Sequence, residues 1–200
     1  MTQNNSASGG YLLPQTQPSP FGTLTFEQFL QTVLVGISGL PGDLVVPRWQ
    51  IDPPTYPDIT VNWLSFGLSE DDSDTNAYVG VDDNGNNQFM RMEALTLQCT
   101  FYGLQSLEYG KALRDGLQIK QNLEALQKAN MGFVNTSRMT RVPDLVNERW
   151  VDRWEMSVYL RREILRVYPI LTFLSGSGSL IANVSSGTKT VEIAVNGQEG

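Results

Sequence analysis

The chain has 200 residues, 40% of them hydrophobic, with a net charge of −7, one cysteine and no histidine. That length supports one main core and seldom two. Cys99 alone excludes an internal disulfide or a zinc site built on paired cysteines, and the lack of histidine removes the commonest general base and metal ligand. The acidic balance argues against a protein that grips nucleic acid through Lys and Arg. No apolar run approaches the roughly eighteen positions a bilayer-spanning helix needs, so a soluble chain without a membrane partner is expected. The polar start from Met1 to Gly10 lacks the basic and then apolar pattern of a secretory signal.

Residues 1–22, rich in Ser, Gly, Gln and Pro, are expected as a flexible arm. Thr25 with Gln28 forms a capping-box pattern ahead of Phe26, Phe29, Leu30, Val33 and Leu34, which predicts an amphipathic helix ending near Gly36. Pro41, Gly42, Pro47, Pro53, Pro54 and Pro57 then predict an extended connection. Ile59 to Leu68 is rich in β-favouring residues, and the acidic Glu70 to Asn76 reads as a loop. Tyr78–Val81 and Gln88–Tyr102 flank Asn84-Gly85, a type I′ hairpin signal.

In the second arm of that hairpin, Phe89, Arg91, Glu93, Leu95, Leu97, Cys99 and Phe101 alternate with polar or small residues and Met, so a long strand follows, with Cys99 a buried, inert thiol. Ser106 to Ala129 fits two helices or one kinked helix, and Met131 to Thr140 fits a strand. Pro143-Asp144 marks a turn; for Trp150 to Arg162 the spacing of Val151, Trp154 and Val158 also admits a helix, but the alternation of Trp154, Met156, Val158 and Leu160 favours a further strand with these four facing inward. Leu180–Val184 and Thr190–Val195 predict a C-terminal hairpin. The expected division is an arm at 1–22, an α+β domain at 23–171 and a β-hairpin extension at 172–200.

Charge is unevenly placed. From Asp52 to Glu93 nine acids stand against one base, Arg91; from Arg138 to Arg166 seven arginines stand against five acids. The two regions meet across subunits, where opposed potentials fix register, or meet within one fold, or merely face water. The Asp82–Asn87 segment does not have calcium-loop spacing, because the position of the bidentate Glu holds Arg91. Glu70, Asp71, Asp72 and Asp74 have neither nucleophile nor phosphate cradle beside them and read as solvated acids. Arg149-Trp150-Val151-Asp152-Arg153-Trp154-Glu155 sets two tryptophans among charges, a composition that suits either an interface centre or a core strand with a charged outer face. No catalytic, cofactor-binding or metal-binding residue is expected.

This order of features resembles the neck or tail terminator subunits of tailed bacteriophages. It comprises an N-terminal helix, a Pro-rich passage, a strand pair ending at Leu95–Tyr102, helices over Leu107–Leu126 and the Val142-Pro143-Asp144 turn. The turn leads into Glu148-Arg149-Trp150-Val151-Asp152-Arg153-Trp154-Glu155-Met156-Ser157-Val158. The resemblance covers about Phe26 to Tyr168. It implies an α+β fold, a mostly antiparallel sheet flanked by helices, in a non-enzymatic virion protein assembled in the host cytoplasm. It further implies a homohexameric ring that ends the tail tube and meets the tube protein, the neck or head connector and, in a contractile tail, the sheath. DNA would pass the lumen without specific binding, past acidic loops from Glu70 to Asp83. The expected subunit contact uses Arg149, Trp150, Arg153, Glu155, Arg161, Asp82 and Asp83. Another head–tail joining, tail-completion or tube subunit is the alternative. Outside this class, a metal-dependent hydrolase on the acidic loops and a β-rich ligand-binding module are the rivals.

Overall fold

A computed structural model describes residues 11–16, 24–52, 55, 57–83, 86–146, 148–169, 175–184 and 187–196. Most of the expected arm therefore lies outside the described residues, as does the Asn84-Gly85 turn. The elements are helix α1 (Leu24–Ser38) and strands β1 (Val45–Pro47), β2 (Trp63–Ser73), β3 (Tyr78–Val81) and β4 (Asn87–Tyr102), followed by helices α2 (Ser106–Gly116) and α3 (Glu124–Lys128). Then come β5 (Met131–Thr136), β6 (Thr140–Arg141), β7 (Asp144–Val146), β8 (Arg149–Val151), β9 (Arg153–Tyr168), β10 (Ser175–Val184) and β11 (Gly187–Asn196). The fold is α+β, as the sequence predicts, with a large, mostly antiparallel sheet.

The sheet has the order β1-β2-β4-β9-β5, with β3 also pairing β4 and β6 also pairing β9. Alternation along its long strands gives it two unlike faces. Leu64 and Phe66 of β2, Leu95, Leu97, Cys99 and Phe101 of β4, and Met156, Val158 and Leu160 of β9 are all buried in one core. The helices cover that face. In α1 the core positions Phe26, Leu30, Val33 and Leu34 recur at helical spacing, and Leu113, Leu117 and Leu126 add the contribution of the chain around α2 and α3. Gln31 ties α1 to the sheet edge by donating to the Val45 carbonyl at 2.6 Å.

Several boundaries differ from those predicted. The first helix begins at Leu24, so Thr25 lies inside its first turn and does not cap it. The Pro-rich passage holds β1, which pairs parallel with β2; Pro47 is tolerated because β1 is an edge strand. The acidic loop is in large part strand. Past a bulge between Leu68 and Glu70, β2 continues with Glu70 opposite Thr96 and Ser73 opposite Glu93. The long partner β4 offers ladder positions that outweigh the low strand propensity of acids. The predicted strand from Trp150 is broken at Asp152 and runs on to Tyr168, and the Pro143-Asp144 turn leads directly into β7.

The chain divides into two compact units. The smaller contains residues 1–15, 80–88 and 167–200, and the larger contains 16–79 and 89–166. In the smaller unit β10 and β11 form the expected antiparallel hairpin, from Ser175↔Asn196 to Val184↔Gly187. The Gln15 amide donates to the Val167 carbonyl at 2.8 Å.

Gly103, after β4, has φ +99°, and a Cβ there would stand 2.6 Å from the Val61 carbonyl oxygen. Both the dihedral and the backbone contact require glycine. Gly103→Ala is expected to destabilise the fold by about 1–3 kcal/mol, read from the shift of the urea unfolding midpoint.

Candidate subunit-contact surface

The β7–β8 hairpin is built from the stretch that stood out in the sequence. Its register sets Leu145 opposite Trp150 and Asp144 opposite Val151. Val151 turns into the protein, whereas Leu145 and Trp150 remain 60% and 71% exposed. A cross-strand pair of large apolar side chains on a small hairpin is therefore left facing solvent, and Arg149 beside it is exposed as well. The Asp58 carboxyl is held below its ordinary value mainly by hydrogen bonds from the Thr60 amide and hydroxyl, with the Arg149 charge adding to them.

Arg153 and Glu155 are engaged within the subunit. The Arg153 guanidinium pairs with Asp144, fastening β7 to β9, and also with Glu155 at 3.0 Å. Arg141 similarly holds Asp152 at 2.7 Å. Arg161 is exposed and borders a depression with Asp72, Asp74 and Glu93. It lies six residues beyond Glu155, about 20 Å along an extended strand, so the five candidates of the larger unit do not form one compact patch. Asp82 and Asp83 sit in the β3–β4 turn. Asp82 accepts the Asn86 amide at 2.8 Å and its side-chain amide at 3.2 Å, closing the turn, and Asp83 is exposed.

Acid and base also meet inside the fold. Glu93 and Arg162, from the acidic and basic regions, pair at 2.8 Å with side-chain exposures of 11% and 7%. The Arg162 guanidinium also lies 4.8 Å from the Phe26 ring centroid, within cation–π range. The sequence held a signal for this pair, since each charge occupies an inward-facing position of its strand, next to Leu95 and Leu160 respectively.

On the sheet's other face, Trp63 and Tyr102 stack at 4.2 Å. Arg48, just past β1, donates from Nε to the Ser65 hydroxyl at 3.0 Å and from Nη1 to Gln98 Oε1 at 3.1 Å. Its Nη2 donates to the Thr100 hydroxyl. Trp49, at φ +59°, lays its ring over Gly67. Sequence reasoning missed Arg48 and Trp49, because nothing within the Pro-rich passage indicates which distant strands it covers.

Among the described residues no group of three Asp, Glu or Cys side chains converges to hold a metal ion. Burial pushes the Cys99 thiol up to about 12 against a weaker opposing effect of the Arg48 charge, so it carries no thiolate near neutrality. No helix among the described residues is long and apolar enough to cross a membrane.

A family model described as phage neck terminator protein matches residues 24–183. The chain belongs to the phage neck terminator protein family. It is thus a structural protein of the virion neck that associates with other head and tail proteins. The match begins with α1 and reaches into β10, further than the Phe26–Tyr168 stretch that carries the resemblance. No curated protein matches the chain.

Two outcomes follow from the buried groups. Glu93→Ala leaves Arg162 buried without its carboxylate and is expected to cost about 3–5 kcal/mol, whereas Glu93→Leu combined with Arg162→Met recovers most of that loss; denaturant melts of the three variants check this. Cys99 is expected to resist a thiol reagent at pH 8 in the native protein and to react fully in guanidinium chloride.

Proposed function

We propose that this protein forms a closed homohexameric ring on the end of the tail tube, stops tube growth there and presents the opposite face to the neck or head connector. The observation that carries the reading, beside the family, is the exposed Leu145–Trp150 pair on the β7–β8 hairpin. A few anchors, tryptophan prominent among them, contribute most of the energy of a subunit contact, and Leu145 beside Trp150 adds apolar area. Arg149 supplies a basic group beside the pair, Asp82 and Asp83 of the next subunit supply acidic ones, and Arg161, farther along β9, forms a separate basic contact. Arg153 and Glu155, bound to each other, act by holding the hairpin in place.

A ring requires two different patches on each subunit, joined head to tail with a rotation that closes. The tube protein takes one face of the ring and the connector the other, with the sheath added in a contractile tail. DNA crosses the lumen without specific binding, because a chain of net charge −7 offers phosphates little counterion release. The arm over residues 1–22 and the hairpin over 172–200 are extensions of the ring-forming body at 23–171. Assembly takes place in the host cytoplasm.

Native mass spectrometry with negative-stain imaging tests the reading. Six-membered rings are expected from the wild type, and Trp150→Ala is expected to weaken self-association on the order of thirtyfold to a hundredfold without altering the fold, as loss of an interface anchor does. Open filaments would instead indicate a tube subunit, and a strict monomer on tubes as well as in solution would contradict the ring.

A further inference from the structure

The polar face of the sheet carries an arginine, Arg48, that no ion pair among the described residues neutralises. It is held by three neutral acceptors, Ser65, Gln98 and Thr100. A guanidinium has five N–H donors; three are used here, which leaves two. Arg138, exposed and without an ion pair among the described residues, lines the same cavity of about 250 Å³ together with Thr140 and Ser157. The cavity's one carboxylate, Glu155, is already bound by Arg153. Two arginines, one rigidly oriented, beside the Thr140 and Ser157 hydroxyls suit an oxyanion that accepts from several donors at once.

The acids to fill such a site stand at the other end of the same face. Asp72 lies opposite Ala94 on β4, six residues from Thr100 and on the same side of the strand, about 20 Å away. Asp72 and Asp74 are exposed, and no ion pair among the described residues engages either, although Arg161 borders them. They are too distant to reach Arg48 within one subunit.

We infer that the Arg48–Arg138 cavity receives the Asp72 and Asp74 carboxylates of a second copy of this chain, head to tail around the ring. This rests on the ring reading above. It assigns Asp72 and Asp74 to a subunit contact and not to the lumen wall. The site at one end of the sheet face and the acids at the other provide the two unlike patches a closed ring requires, and opposed charge selects the register.

Charge exchange tests the inference by native mass spectrometry, with circular dichroism confirming that each variant folds. Arg138→Glu alone and Asp72→Lys with Asp74→Lys alone are each expected to raise the dissociation constant of the assembly on the order of a hundredfold. Mixed in equal amounts, the two variants are expected to form rings again, with the two masses in strict one-to-one ratio, because each Lys-bearing end meets a Glu-bearing site and each native acidic end a native arginine pair. Wild-type rings that persist in Arg138→Glu, or a mixture that fails to assemble, would overturn this contact and leave the ring reading standing. A wild type that never assembles would overturn both.

Discussion

One buried ion pair connects the three parts on which this fold depends. Arg162 belongs to β9, Glu93 to β4 and the Phe26 ring to α1, and the guanidinium contacts the carboxylate and the ring together. Because both charges are nearly out of solvent, their relative position is tightly constrained. A slip of one residue by either strand would turn its own charge to the opposite face and leave the other buried and unpaired. Arg162 is also the register partner of Met131, so the same residue lies where β5 joins the sheet. Two well-packed apolar residues could provide as much stability; the pair's distinctive effect is on alignment.

That alignment produces a sheet with one covered face and one that is largely polar. Helices and core bury the first, and Arg48, Trp49, Trp63 and Tyr102 furnish the second. The β7–β8 hairpin, fastened by the Arg153–Asp144 pair, leaves Leu145 and Trp150 in solvent. In the proposed ring, the covered face fixes the sheet from inside and the exposed hairpin pair is what a neighbouring subunit meets.

Much of the fold was legible in the sequence because alternation and helical spacing are local signals. The α1 stripe from Phe26 to Leu34, the long β4 and the inward set Met156, Val158 and Leu160 all follow from periodicity alone. The turn of acids after Leu68 was not legible as strand, because the pairing that makes it one comes from β4 more than twenty residues away. The parallel β1 in the Pro-rich passage was hidden for the same reason. Of the proposed contact residues, Trp150 and Arg149 stand exposed on the hairpin, whereas Arg153 and Glu155 are matched to each other, a distinction that composition does not carry. Leu145 escaped notice since its exposure depends on a hairpin that the Pro143-Asp144 signal places only as a turn.

Cryo-electron microscopy of the assembled virion tests the proposed ring at the neck most directly. A closed six-fold ring of this fold is expected between the end of the tail tube and the connector, with the β7–β8 hairpin buried between neighbouring subunits. Density that places the chain elsewhere in the particle, or as single copies with Trp150 in solvent, would contradict it.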